Sequence, residues 1–437
     1  MEKLLLSPRL NGTVRAPSSK SEAHRALIVS ALAALYGAGT YTRRVCCTDL
    51  NQDIEATVNC LSALGAHIVR EGTDFLVTPI TEIPQHAELD CGESGSTLRF
   101  LLPVCCALGA VPSAPEGFTA TLIGHGRLPK RPLSPLYEEL VSHGAILSPM
   151  GENPLVVQGK LSAGQYCLAG NVSSQFISGL LFALPMLWEK STLTITGKIE
   201  SVHYIHMTRD AMSLVTESIE GELPAFSIAG REEKPALPLD ADRFFVGGDW
   251  SGAAFFLTAG VLGASDTSVT LTGLSTASRH GDKAILTVLQ DMGGDICEAE
   301  SGDITAYPST LRGMEIDASQ IPDLVPILAV AASVAEGETR IVGASRLRIK
   351  ESDRLKTVTD MLTTLGGDVT ETADGLIIRG VPRLKGGIMD AAGDHRIAMS
   401  GAVASLVCDG PVTITGAECV AKSYPAFWEE FTRLSKE

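Results

Sequence analysis

No long hydrophobic run interrupts this 437-residue chain. Its opening, MEKLLLSPRL, has only three consecutive leucines before polar residues, too few for a signal peptide. Inner stretches such as ISGLLFALPML stop well short of the roughly 20 apolar residues a membrane span needs. A cytoplasmic protein is expected, with no membrane partner. Positive charge is also scarce. Lys and Arg total 35 against 51 Asp and Glu, and the net charge of −16 would repel nucleic acid and anionic membrane surfaces. None of the ten cysteines shows the spacing of a zinc site, and no metal or cofactor is expected. The adjacent pairs Cys46–Cys47 and Cys105–Cys106 sit in apolar runs and read as small core residues in a reducing compartment.

What is present is an ordinary globular composition, 45% apolar and 20% charged, in a chain too long for one core. A repeat of about 75 residues organises it. Six segments open with small or turn-forming residues and run into an apolar helix. They are APSSKSEAHRALIVSALAALYG (16–37), CGESGSTLRFLLPVCCALG (91–109), AGNVSSQFISGLLFALPML (169–187), GGDWSGAAFFLTAGVLG (247–263), DASQIPDLVPILAVAASVAEG (317–337) and AAGDHRIAMSGAVASLVCDG (391–410). After each comes a short β-branched strand bounded by glycine, such as STLTITG (191–197) or GPVTITG (410–416). A second, amphipathic helix then closes on LSALGAHI (61–68), LVSHGAIL (140–147), LQDMGGDI (289–296) or LTTLGGDV (362–369), whose glycine fits a left-handed helix C-cap. SIEGEL (218–223) is a degraded copy, and FWEEFTRL (427–434) runs to the chain end.

The unit is therefore β-α-β-α-β-β, used six times. Helices apolar all round belong inside, and the amphipathic ones cover them. Three units sharing one core would give an α/β protein of two similar domains. No linker is marked by composition, although KPALPLDADRF (234–244) falls where the third unit ends.

Polar residues collect at the N-termini of the apolar helices: Lys20, Ser21 and Arg25; Gly95, Ser96 and Arg99; Ser173, Ser174 and Gln175; Asp323; and Asp394, His395 and Arg396. Serines there ordinarily cap helices, and an aspartate ordinarily complements the dipole. Lysine and arginine work against that dipole, which makes sense if an anion lies between them and the free N–H groups. Loops after the β-branched strands add Arg127, Ser201, Tyr204, Lys350, Glu351, Arg354 and Lys422. Lys350 and Arg354, four apart, would share a face if helical. Eight cations (Lys20, Arg25, Arg99, Arg127, Lys350, Arg354, Arg396 and Lys422) are expected to crowd one cleft and repel each other until anions arrive.

With these residues in place the chain closely resembles the 5-enolpyruvylshikimate-3-phosphate synthase family along nearly its whole length. The matching motifs are SKSxxxR (Ser19 to Arg25), SGSTLR (Ser94 to Arg99), GRLPKRP, NVSSQF (Asn171 to Phe176), IPD (Ile321 to Asp323), RIKESDR (Arg348 to Arg354), GDHRIAM (Gly393 to Met399) and KSYP. The resemblance implies two domains of three units each with buried helices, an inside-out α/β barrel. It implies an N-terminal domain of 21–238, a C-terminal domain of 1–20 plus 239–437, and an active site in the interdomain cleft. By position, Lys20, Ser21, Arg25, Ser173, Ser174, Gln175, Ser201, Asp323 and Lys350 would hold shikimate 3-phosphate. Lys20, Gly95, Arg127, Gln175, Arg354, Arg396 and Lys422 would hold phosphoenolpyruvate. Glu93 replaces a common asparagine, Phe100 stands where many members have proline, and Arg346 where some use asparagine on the shikimate ring. The first two departures bear on sensitivity to the inhibitor glyphosate, and the third on the role of Arg346.

The implied reaction moves the enolpyruvyl group to the 5-hydroxyl through a tetrahedral intermediate and releases phosphate, toward chorismate and aromatic amino acids. Proton exchange falls to Asp323, Glu351 and Lys20, inside a cage of cations. A monomer working on these two small molecules is expected. A sister family that uses a UDP-amino sugar usually has a lysine–asparagine pair near the start and a mobile-loop cysteine. Here Lys20 is followed by serine, and 111–131 has no cysteine. A non-catalytic anion receptor would need the cations but have no use for Asp323 and Glu351 beside them.

Overall fold

The computed structural model describes residues 1–231 and 242–435. The chain forms two compact units, Lys20–Val246 (the inner unit) and Met1–Ser19 with Gly247–Glu437 (the terminal unit). The expected boundary at 238/239, and most of 234–244, lie outside the described residues.

Each unit has its own apolar core built on three buried helices. In the inner unit these are Lys20–Leu32, Gly95–Leu108 and Ser174–Ala183. In the terminal unit they are Trp250–Val261, Val325–Ser333 and His395–Ala404, buried along their whole length. These six are the apolar-all-round helices of the repeat, and only an interior position removes every face from water. Small residues let them approach closely. Pro103 lacks the N–H that would bond the Arg99 carbonyl, four residues back. That carbonyl oxygen lies 2.5 Å from where a Cβ on Gly179 would stand, so only glycine fits there.

Sheets cover the helices. In the second repeat, His86–Asp90 and Thr119–Ile123 run parallel on either side of the buried helix. Leu155–Gly159 joins antiparallel, and Ala145–Leu147 forms the edge. The third and fifth repeats use the same strand order. The β-branched strands alternate as period two requires. In Ser191–Thr196, Leu193 and Ile195 are buried while Thr192, Thr194 and Thr196 face away from the core. Between the sheets lie the amphipathic helices, and the four glycines of the repeat (Gly65, Gly144, Gly293 and Gly366) all sit at positive φ, as C-caps require.

Pairings at the ends of each three-repeat set depart from sequence order. Gly12–Arg15 pairs in parallel with Val269–Thr272 and so supplies the first strand of the fourth repeat. Arg243–Phe245 pairs in parallel with Arg43–Cys46 and supplies that of the first. The sixth repeat, Gly387–Asp390 beside Val412–Thr415, has no closing hairpin among the described residues, and Glu2–Leu5 pairs antiparallel on Val412–Thr415 instead.

Candidate active site

In the inner unit, Lys20 opens its helix and its Nζ donates to Asp53 Oδ2 at 2.8 Å. Asp53 sits in the first turn of the helix Gln52–Ala63, whose cap is Asn51, with Oδ1 accepting from Ile54 N. One turn after Lys20, Arg25 is buried and donates to Thr208 Oγ1 (2.8 Å), the Ser21 carbonyl (2.7 Å) and the Tyr204 carbonyl (2.9 Å). Its guanidinium lies over Phe100, 5.1 Å from the ring centroid, and over Tyr204 at 5.9 Å. Phe100 thus supports a site residue. Burial pushes the Arg25 pKa down to about 10, against the opposing pull of Tyr204 and Glu22.

Beneath these residues runs a chain of buried hydrogen bonds. His24 Nδ1 meets Thr57 Oγ1 at 2.7 Å, Thr57 meets Thr97 at 2.7 Å, and Thr97 donates to Ser94 Oγ at 2.7 Å. Burial holds the His24 pKa down at about 3, so it is neutral here. Ser94 also caps the second helix by accepting from Thr97 N. The starts of the first two buried helices are thereby tied together.

Gln175 links the second helix to the third. Its Oε1 accepts from Arg99 Nη1 and its Nε2 donates to Ser96 Oγ, both at 2.9 Å. Of the three serines that could have been caps, only Ser173 is one, accepting from Gln175 N at 3.3 Å. Ser174 is the first helical residue and buried, and Ser21 is the second residue of its helix. Ser201 precedes the helix Val202–Ser213 in the left-handed region (φ 55°, ψ 43°) without a side-chain cap, a strained posture for serine. Arg127 alone among the expected site residues is exposed.

The terminal unit holds a denser cluster. Asp323 lies in the short turn Pro322–Leu324 ahead of Val325–Ser333. Its Oδ1 faces Arg354 Nη1 at 2.8 Å and Lys350 Nζ at 3.3 Å, and its Oδ2 faces Arg396 Nη2 at 3.3 Å. Burial alone would raise its pKa, but Arg396, then Lys350 and Arg354, outweigh both burial and Glu351 and hold the carboxyl well below the usual range. Arg354 is fully buried and also binds Glu351 Oε2 at 2.8 Å and Asp394 Oδ2 at 2.8 Å. Burial opposes its charge, yet Asp394, then Glu351 and Asp323, keep its pKa above normal. Burial is also the main reason the Lys350 pKa falls to about 8. Asp323 pulls it up while Arg346 and Arg354 push it down. Lys422, at the end of the turn Ala417–Lys422, is buried rather than a solvated surface lysine.

Two expectations need correction. Lys350 and Arg354 do not share a helix. Asp353 caps the helix Arg354–Thr364 by accepting from Lys356 N, which leaves Lys350 outside it, extended, and both cations converge on Asp323 instead. Nor are four of the eight cations left to repel their neighbours unopposed. Lys20 is paired with Asp53, and Lys350, Arg354 and Arg396 share carboxylates. Of these acidic partners, Asp53 is the one the sequence did not single out. Its only signal is an acidic residue in a first helical turn, whereas Asp394, named at its helix start, proves to be a buried partner of Arg354. Asp282 was missed outright. It is fully buried against Ser251 Oγ, and burial raises its pKa. Among the described residues no His, Cys, Asp or Glu group is arranged to hold a metal, and no helix is long and apolar enough to cross a membrane.

The comparisons with known proteins agree with one another. The family model for EPSP synthase (3-phosphoshikimate 1-carboxyvinyltransferase) matches residues 6–431. The 3-phosphoshikimate 1-carboxyvinyltransferase of Clostridium kluyveri is 41% identical over 441 residues, covering 100% of this chain and 98% of the relative. That of Clostridium acetobutylicum is 40% identical over 438 residues, covering 97% and 95%. Among solved structures, EPSP synthase from Acinetobacter baumannii superposes with a TM-score of 0.77 at 26% identity, covering 99% of this chain and 98% of that one. The enolpyruvyl transferase NikO from Streptomyces tendae reaches 0.73 at 18% identity, covering 99% and 97%, a likeness of fold alone. With its helix-start motifs in order and this likeness along its full length, the chain belongs to the EPSP synthase (3-phosphoshikimate 1-carboxyvinyltransferase) family.

Proposed function

We propose that the protein transfers the enolpyruvyl group of phosphoenolpyruvate to the 5-hydroxyl of shikimate 3-phosphate. The hydroxyl oxygen bonds to C2 of phosphoenolpyruvate as its own proton leaves and a proton reaches the C3 methylene. The tetrahedral intermediate then loses a proton from C3 and breaks the C2–O bond to phosphate. This supplies the shikimate pathway toward chorismate and aromatic amino acids.

One observation carries the reading most: two carboxylates, Asp323 and Glu351, share the buried Arg354 within a cluster that also holds Lys350 and Arg396. A simple anion receptor gains nothing from carboxylates among its cations, whereas proton exchange needs them. We assign Asp323, Glu351 and Lys20 to proton transfer. Ser21, Arg25, Ser173, Ser174, Gln175, Ser201 and Lys350, with Lys20 and Asp323, are assigned to shikimate 3-phosphate. Gly95, Arg127, Arg354, Arg396 and Lys422, with Lys20 and Gln175, are assigned to phosphoenolpyruvate. The polar ends of both units serve one active site in this reading, and the enzyme is a cytoplasmic monomer.

The test is phosphate release from phosphoenolpyruvate in the presence of shikimate 3-phosphate, run beside a UDP-amino sugar acceptor. Release with shikimate 3-phosphate alone is expected. Release only with the UDP-sugar, or with neither, refutes the assignment.

A further inference from the structure

Arg131 has no part in the assignments above, yet it lies against one of their key residues. It ends the short turn Leu128–Lys130 with extended backbone (φ −75°, ψ 139°), which returns its side chain toward the start of the helix Gly95–Leu108. A Cβ on Gly95 would stand 2.7 Å from Arg131 Nη1, 3.2 Å from Cζ and 3.4 Å from Nη2. Those are the three nearest atoms, so a side chain at 95 would meet this guanidinium before any other described group. Arg131 and Arg99 line the same small cavity, whose other walls include Leu98, Leu122, Leu128 and Leu133. Arg99 is turned toward Gln175 Oε1 and the Pro132 carbonyl, which leaves Arg131 as the guanidinium lying on Gly95. A cation over a helix N-terminus is opposed by the dipole, and an anion between the two reverses that opposition.

We propose that Arg131 is a positioning residue for phosphoenolpyruvate, and that position 95 is glycine chiefly so that this guanidinium can lie over the helix start. The proposal rests on the activity proposed above. It changes the meaning of a Gly95→Ala substitution. The added methyl would displace Arg131, a flexible side chain that lines a small cavity. The loss would then appear in ligand handling rather than in folding.

The test is a mutant cycle of wild type, Gly95→Ala, Arg131→Gln and the double variant. It reads KM for phosphoenolpyruvate, kcat, the Kd for shikimate 3-phosphate and Tm. Each single change should raise that KM on the order of 10–100-fold, the worth of a charge-assisted hydrogen bond. Shikimate 3-phosphate affinity should stay within about threefold, and the double variant should be no worse than the worse single, because both changes remove one interaction. Arg131→Lys, which keeps the charge but not the planar fork, should recover part of the loss. Effects that multiply in the double variant, or an unchanged KM in Arg131→Gln, overturn the proposal. If Arg131→Gln lowers Tm markedly, Arg131→Lys and Gly95→Ala carry the cycle in its place. If wild type releases no phosphate, the activity reading has failed on its own. Calorimetric titration of phosphoenolpyruvate into the same variants then still decides the role of Arg131.

Discussion

Replacing Asp323 by asparagine removes one negative charge at nearly constant volume from among Lys350, Arg354 and Arg396. A purely dipolar aspartate in a first helical turn would be worth about 0.3–1 kcal/mol. The observed partners call for more, because breaking a buried ion pair costs about 3–5 kcal/mol. The lower end of that range applies. Arg354 keeps Asp394 and Glu351, and Lys350, already at about 8, can shed its proton once its carboxylate partner is gone. A loss of about 3 kcal/mol is therefore expected by chemical denaturation at pH 7. Its pH dependence follows from the depressed carboxyl pKa. The stabilisation is fully present above the unfolded value near 3.9 and disappears as pH falls toward the folded value. The gap between wild type and Asp323→Asn should thus be flat from about pH 5 to 7 and close below about pH 4. Turnover should fall roughly 10²–10⁴-fold if Asp323 exchanges a proton. Shikimate 3-phosphate should still bind the variant, because most of the residues assigned to it lie elsewhere. The reasoning is refuted by a variant with turnover within about tenfold of wild type, or by one that loses both stability and ligand affinity.

Lys350 sets a pH limit on binding. With its pKa at about 8, shikimate 3-phosphate affinity measured by calorimetry should decline above pH 8, and Lys350→Arg should remove that decline. Because the native state releases this proton before the unfolded chain does, near 10.4, the lysine's contribution to stability should rise between about pH 8 and 10.4. Arg354→Met removes the shared partner of Asp323, Glu351 and Asp394 and should cost about 3–5 kcal/mol, read as a lower Tm and denaturation midpoint. Ser201→Gly relieves a left-handed φ of 55° and should gain up to about 1 kcal/mol while weakening shikimate 3-phosphate binding. Ser201→Ala should weaken binding without the gain.

The repeat was legible because it is written locally. An apolar helix with no polar face announces burial, a glycine after an amphipathic helix announces its end, and both recur at one spacing. The pairings at the repeat ends were not legible, for a physical reason. Gly12–Arg15 and Arg243–Phe245 are strands of four and three residues whose partners lie far away in sequence. Their side chains suit a half-buried pleat in any of the six sheets, so register and partner are decided by which core each strand can close. The Glu2–Leu5 strand likewise gains its meaning only because the sixth repeat has no hairpin of its own among the described residues.

Site residues divide along the same line. Lysine and arginine at helix starts stood out because they oppose the dipole, a conflict visible in one segment. Asp53 and Asp394 looked ordinary because acids belong at helix starts, and only tertiary approach pairs them with Lys20 and Arg354. That pairing alters the chemistry expected of the cluster. A bare cage of cations would bind anions and do nothing more. Here Lys350, Arg354 and Arg396 are matched by Asp323, Glu351 and Asp394, so an incoming phosphate or carboxylate must draw cations away from resident carboxylates. Each cation drawn off lets the pKa of Asp323 climb from its depressed value toward the range where a carboxyl can accept and return a proton. On the proposed function, substrate binding itself would turn a structural ion pair into an acid–base group, and asparagine at 323 removes the one atom set on which that conversion depends.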